Sequence, residues 1–362
     1  MAEHIAYRSD ADCEPAVGAG PKECECRVCG GSHVNRIGEV EYYEGFAWPV
    51  YDCPTCGCRF TNHDETIYET MHGQRGTVYD IYRRQSAQAA EAFGKCDLAA
   101  LRRLLCQTSK YRFIIEEVER TPKHSRLLEI GCSRGHLTSF FILAGYEITG
   151  VDISASAIQS ATAAFGNHFV LEGDPLIEAS APYDVIYHVG TIGCVADPIG
   201  LTRRLLRLLR PGGRLFFNAP NLQSCWFPNQ LWIDAAPPPD VVSIFPPGFW
   251  RQRFADVAEV EERVDDCEPD KSFAITLRKL FRPNWKSPKP VRLNQSGDGY
   301  LTGAINKQNR SHFGDAAWKI FEKSILKFGH TTGLSRLATR QPAEFGIFVR
   351  MIPRQANRVA AV

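Results

Sequence analysis

Four cysteines in two matched pairs stand first among the residues able to do chemistry: Cys26 and Cys29 in "CRVCG", then Cys53 and Cys56 in "CPTCG". Each Cys-x-x-Cys is followed by a glycine, Gly30 or Gly57. Two thiolates per pair can grip one metal ion, and the glycine lets the backbone turn tightly so that its N–H groups face sulfur. The pattern predicts a tetrahedral Zn2+ site. Because four thiolates leave no open position for water, the expected role is structural. Cys24 and Cys58 flank the pairs, and either could replace a neighbour as ligand. A redox dithiol is the rival use of Cys-x-x-Cys, and the second matched pair argues against it.

A second constellation runs from Glu129 to Asp152. "RLLEI" is short, apolar and bounded by turn residues, as a buried parallel strand would be. The loop "GCSRG", a helical run and the second strand "EITGVD" follow, making a βαβ unit with glycines at the carboxyl end of its first strand. Doubly wound sheets bind nucleotides at that place. A pyrophosphate-binding loop needs Gly-x-Gly-x-x-Gly, whereas Gly131 and Gly135 are spaced Gly-x-x-x-Gly, and Glu129 lies just before them. A carboxylate there repels pyrophosphate and suits a cationic ligand.

Taken together, "LEIGCSRG" and "GVDIS" resemble the first two motifs of class I S-adenosylmethionine-dependent methyltransferases. The resemblance implies a Rossmann-like, doubly wound α/β fold with a seven-stranded sheet, and S-adenosyl-L-methionine as cofactor. It implies that Glu129, Gly131, Cys132, Ser133 and Gly135 surround the methionine moiety. Asp152 would bond both ribose hydroxyls with Ile153 beside it, and Asp174 would lie near adenine. An acceptor-only carboxylate is a fitting partner for two vicinal hydroxyls. Ser133 departs from the glycine commoner at the middle of this loop. "HFVLEGD", "YDVIYHV" and "RLFFNAPN" continue the pattern as strands three to five, with a helix from "ADP" to Pro211-Gly212-Gly213. "VAEVEERVD" and "EFGIFVRMI" suit the sixth strand and the seventh, antiparallel one. Many relatives have Glu-His before the "DP" element; here Gly193-Cys194 stand instead.

Around this core, "NRIGEVEYYEGFAWPVYD" between the cysteine pairs is rich in aromatic and β-branched residues, as the strands of a zinc ribbon would be. The expected organisation is an N-terminal tail and ribbon over residues 1–66, a helical cap over 67–122, and a methyltransferase domain over 123–362. In the cap, Asp97 is placed to cap a helix carrying Leu98, Leu101, Leu104, Leu105, Phe113, Ile114 and Val118 on one stripe, ended by Pro122. An insertion, about 267–343, interrupts the last domain. Although the net charge is only +1, residues from Lys271 onward hold 17 Lys/Arg against 4 Asp/Glu. This asymmetry points to an anionic partner, or to a basic tail docked on the acidic remainder of the chain.

Methyl transfer asks the protein to align an acceptor and remove its proton. His188, near the carboxyl end of the fourth strand, is the expected catalytic base, with a packed or cofactor-lining histidine as the alternative. Asn218 and Asn221, at the exit of the fifth strand, could bond substrate or cap the loop. A zinc ribbon ahead of a class I core resembles bacterial methyltransferases of nucleotide-linked sugars, which implies an anionic small-molecule substrate. It also resembles certain ribosomal RNA methyltransferases, but the ribbon region is not basic, so nucleic acid is the less favoured partner. A non-catalytic cofactor-binding protein is the third reading. The polar N-terminus and the lack of a long apolar run predict a cytoplasmic chain with no membrane partner.

Overall fold

The computed structural model describes residues 25–43, 46–62, 80–225, 231–233, 238, 240–264 and 346–354, with short pieces between 292 and 333. At the N-terminus, β1 (Asn35–Tyr43) and β2 (Phe46–Asp52) form an antiparallel hairpin, and β3 (Arg59–Phe60) pairs with β2. Arg59 clamps Asp52 on the neighbouring strand, Nε to Oδ1 at 2.7 Å and Nη2 to Oδ2 at 3.0 Å. This two-pronged geometry suits guanidinium and carboxylate.

Three helices follow: α1 (Asp80–Gly94), α2 (Leu98–Leu105) and α3 (Ser109–Glu119). Asp97 caps α2 as expected, its side chain accepting the Ala100 N–H at 2.8 Å. The single helix read from Asp97 to Arg120 is instead two, because Thr108 is extended (φ −106, ψ 122). The break lets Leu101 and Leu105 pack beside α4 (Thr138–Leu143), while α3 turns Ile114, Ile115 and Val118 toward the sheet. Phe113 stacks on Phe348, ring centroids 4.4 Å apart.

The main sheet holds β4 (Arg126–Ile130), β5 (Glu147–Asp152), β6 (Phe169–Leu171), β7 (Tyr183–His188), β8 (Leu209–Pro220), β10 (Ala258–Val264) and β13 (Gly346–Pro353). Its order is β10-β13-β8-β7-β4-β5-β6. The strands β4 to β8 pair in parallel, and β13 is antiparallel to both neighbours. That is the seven-stranded class I fold expected from the motifs. Leu127, Leu128, Val185, Ile186, Phe216 and Phe217 are fully buried, which is why these strands read as near-continuous apolar runs. The intervening helices α5 (Ala155–Phe165), α6 (Pro175–Ala179) and α7 (Pro198–Leu208) start at Ser154, Asp174 and Asp197, each of whose side chains accepts a backbone N–H of the first turn. The helix before β8 stops at Leu208 rather than at Pro211. Leu209 already pairs with Tyr183, and Arg210–Gly213 forms an irregularity inside the strand.

The N-terminal sheet continues into the larger unit. β9 (Ser243–Ile244), which precedes α8 (Phe249–Phe254), pairs antiparallel with β3, so the ribbon sheet ends on a strand of the larger unit. With β11 (Arg292–Leu293) and β12 (Gly299–Tyr300) its order is β12-β11-β1-β2-β3-β9. Cys26, Cys53, Cys58 and Phe60 share one apolar core with Phe245, Phe249, Trp250 and the main sheet. Cys24, residues 67–79 and almost all of the 267–343 insertion lie outside the described residues. Among the described residues, no helix is long and apolar enough to cross a membrane.

Candidate functional site

Two centres emerge, one of sulfur and one at the carboxyl edge of the parallel strands. In the first, the thiol sulfurs of Cys26, Cys29, Cys53 and Cys56 all lie within 4.8 Å of one another. The Cys26–Cys56 and Cys29–Cys53 separations are both 3.7 Å. A tetrahedron with metal–sulfur bonds of ~2.3 Å has edges of about 3.8 Å, so the four sulfurs fit one ion. The two knuckles repeat one geometry. Cys26 N–H donates to Gly31 O and Gly30 N–H to Cys26 O, as Cys53 N–H donates to Cys58 O and Gly57 N–H to Cys53 O, all within 2.7–2.9 Å. Both glycines turn through the left-handed region, φ +74 and +72, which a side chain would oppose. Cys58 is buried with its Sγ toward the Cys56 carbonyl and is not one of the four.

At the second centre, β4 ends in a loop whose N–H groups are fastened to β5: Gly131 N–H and Cys132 N–H both donate to Val151 O, at 2.7 and 2.9 Å. Gly131 (φ +72) and Gly135 (φ +75) are left-handed; a Cβ would strike Thr191 Oγ1 at 2.2 Å in the first and Phe169 at 2.6 Å in the second. Ser133, where glycine was the commoner residue, is left-handed too, at φ +49. Its N–H donates to Asp152 Oδ2 at 2.8 Å, while Ser154 N–H donates to Oδ1 at 2.9 Å. The Asp152 carboxylate thus sits where loop and second strand meet. Ile153 beside it is 51% exposed, an apolar surface facing solvent. Asp174 caps α6 through Leu176 N–H at 2.8 Å, so its position after β6 is as expected with one oxygen engaged.

Other expected contacts are displaced by burial. The Cys132 side chain points into the core against Gly150, leaving its backbone to shape the loop. Glu129 is buried below the loop, and its Oε2 accepts the Thr138 and Tyr187 hydroxyls. Burial raises its carboxyl to about 7, partly offset by those two donors. Glu129 therefore braces the loop from beneath.

His188 requires a correction as the expected base. Its ring is fully buried and stacks on Phe217 at 4.6 Å, and neither ring nitrogen has a partner among the described residues. Burial alone lowers it to about 3, so the ring is neutral and packed. Alternation predicts this partly: Tyr187 faces Glu129 on one side of β7 and His188 the other. Asn218 and Asn221 hold loops, Asn218 Oδ1 accepting Gly190 N–H at 2.9 Å and Asn221 Oδ1 accepting Gln223 N–H at 3.0 Å.

The absence of Glu-His before "DP" has a steric cause. A Cβ on Gly193 would lie 2.6 Å from Pro220 Cγ and 3.1 Å from Ser243 O. The Gly193 carbonyl accepts Val242 N–H at 2.7 Å and Ser243 N–H at 3.0 Å. The same segment pairs with the ribbon through Thr61 N–H to Val242 O, 2.9 Å. Glycine is what lets the ribbon-bearing strand close on this turn.

Over the turn hangs a group that sequence reasoning missed. Lys110 and Tyr111 open α3, and the Lys110 ammonium stands 3.5 Å from where a Gly190 Cβ would be. Tyr111 Oη bonds His136 Nε2 at 2.8 Å, and Tyr82 stacks on the His136 ring at 5.9 Å. Burial, then Lys110, lowers His136 to about 3, so it is neutral. No local pattern separates "SKYRF" from any other helix start; only a lysine–tyrosine pair on an otherwise apolar stripe hints at it.

Residues 99–258 match the family model described as a methyltransferase domain. The ubiquinone biosynthesis O-methyltransferase of Caulobacter vibrioides is 30% identical over 136 residues, covering 34% of this chain and 51% of that protein. Its namesake in Bordetella pertussis is 28% identical over 114 residues, covering 30% and 47%. The chain spans about half the length of these curated relatives. Among solved structures, a methyltransferase from Geobacter sulfurreducens in complex with S-adenosyl-L-homocysteine is 18% identical with TM-score 0.33, covering 67% of this chain and 90% of that one.

Proposed function

We propose that this chain, with a methyltransferase domain at residues 99–258, transfers a methyl group from S-adenosylmethionine to an anionic small-molecule acceptor, its four-cysteine cluster holding a structural zinc ion. The observation behind the reading is the Asp152 carboxylate, nearly buried at the end of β5 where its two oxygens tie the left-handed loop to the start of α5. That pairing fits a nucleoside with a cationic tail better than a pyrophosphate. Asp152 would accept the ribose hydroxyls, Ile153 would cover adenine, and the loop that Gly131 and Gly135 shape by packing tightly on Thr191 and Phe169 would hold the methionine portion.

When bound, the cofactor supplies an electrophilic methyl group on a sulfonium. The protein aligns the acceptor at the carboxyl edge of β7 and β8 and governs its proton. Tyr82, Lys110, Tyr111 and neutral His136 cover that edge. Because His188 is buried and Gly193 has no side chain, the groups near the acceptor come from the helical cap rather than from the strand ends. The curated relatives are named O-methyltransferases, which favours oxygen as the atom methylated. The zinc ion would be held by Cys26, Cys29, Cys53 and Cys56, where the sulfur spacing matches a closed tetrahedral site.

Calorimetric titration of the full chain with S-adenosylmethionine, S-adenosylhomocysteine and NAD tests the cofactor. Saturable binding of both sulfur ligands and none of NAD is expected. Binding of NAD alone would reverse the reading of the loop. Metal analysis should find one zinc per chain.

A further inference from the structure

Lys110 is a half-buried cation at the place where an acceptor would enter. Its ammonium lies over Gly190, the turn that leaves β7, and 5.5 Å from the centroid of the Tyr111 ring. Among the described residues it makes no hydrogen bond to a protein acceptor and no ion pair. Burial is the larger influence on it, lowering it, and the charges of Asp240 and Cys194 oppose that. An ammonium partly withdrawn from water and without a hydrogen-bonding acceptor gains from an oxygen that a ligand brings. Among the described residues, then, Lys110 keeps its hydrogen-bonding capacity for a ligand oxygen.

The surroundings narrow the choice of counterpart. Tyr82, Tyr111 and His136 form an aromatic wall beside the ammonium, stacked or edge-on to one another at 5.9 and 5.2 Å. The His136 Nδ1, buried, has no partner among the described residues. A flat ring bearing an ionisable oxygen satisfies both features, its face against the wall and its oxygen against the ammonium. A diphosphate would need several donors converging on it, and Lys110 is the cation that the described residues place at this turn.

We infer that Lys110 is the specificity-determining residue of the acceptor site, and that the acceptor is an acidic aromatic or enolic hydroxyl bound as its oxyanion against the Lys110 ammonium. This deepens the methyltransferase reading and rests on it. The role is binding: the lysine favours the ionised oxygen, whose proton goes to solvent, before any methyl group moves.

The test uses the full chain saturated with S-adenosylhomocysteine and 4-nitrophenol as probe, followed by the phenolate absorption near the phenol's own pKa. The unmodified chain should bind the probe and raise its ionised fraction. K110M should weaken phenolate binding about 10-fold or more, as loss of a charged hydrogen bond does, and K110R should restore most of it. S-adenosylhomocysteine affinity, measured calorimetrically on all three proteins, should stay within about twofold and reports that each is folded. Equal phenolate binding by K110M, or no ionisation by the unmodified chain, would overturn the inference alone. Tighter binding of inorganic pyrophosphate than of phenolate, lost in K110M, would overturn the aromatic assignment. Failure of the unmodified chain to bind S-adenosylhomocysteine would overturn the methyltransferase reading and this inference with it.

Discussion

Replacing Asp152 by asparagine probes the cofactor site at its hinge. Each carboxylate oxygen already accepts a backbone N–H: Oδ2 from Ser133 at 2.8 Å and Oδ1 from Ser154 at 2.9 Å. An asparagine has the same shape, but whichever way its amide lies, one of those N–H groups then faces an NH2. The loss is one charge-assisted bond, worth ~1.5–3 kcal/mol, plus a donor left unpaired. If solvent reaches that donor the second penalty shrinks, so the net cost to folding should be about 2–4 kcal/mol. Ser133, held at φ +49 by its bond to Oδ2, is released toward an ordinary conformation, and the loop loses the shape the ligand needs. Loss of a charged acceptor for the ribose should by itself raise the S-adenosylhomocysteine Kd about 10- to 100-fold. Calorimetry gives the Kd, and urea denaturation of the same preparation gives the stability. An affinity within about twofold of the unmodified chain, with stability also unchanged, would show that Asp152 neither carries the ribose nor braces the loop.

Gly135→Ala should cost about 2–4 kcal/mol, from the left-handed backbone and the crowding of a methyl group on Phe169; undiminished stability on denaturation would mean that the loop rearranges freely. Glu129, raised by burial from 4.5 to about 7, stays protonated in the folded chain between those pH values while the unfolded chain has lost the proton. Stability should therefore fall as pH rises through that window, by about 3 kcal/mol from this group. Glu129→Gln, which still offers an oxygen to Thr138 and Tyr187, should flatten that slope in urea titrations run from pH 4.5 to pH 8; a slope identical to the unmodified chain would refute the assignment. Chelating the metal should loosen β3 and with it β9, so hydrogen exchange of the Val242 and Ser243 amides, bonded to Gly193 O at 2.7 and 3.0 Å, should quicken. Unchanged protection would mean that the ribbon does not hold that segment.

Sequence alone determined what depends on short-range spacing. Cys-x-x-Cys-Gly sets each knuckle because two thiolates and one left-handed glycine are enough to define it. Apolar runs of strand length, turn residues and the capping residue Asp97 placed the strands and helices close to where they lie, since both faces of a parallel strand are buried and helix starts need acceptors. Asp152 was found the same way, at a strand end fixed by the run before it. What only the tertiary structure decided involves partners far apart in the chain. His188 and Asp152 both end strands, yet His188 packs on Phe217 of β8 and Asp152 ties the loop after β4 to its own strand end, a difference set by neighbouring strands. Gly193 is explained by Pro220 and Ser243, and the ribbon's attachment by β9, none of them near it in sequence. Lys110 came to overhang Gly190 only because α3 broke from α2. A helix's sequence states which face is apolar, but which distant turn its charged end overhangs is settled by packing.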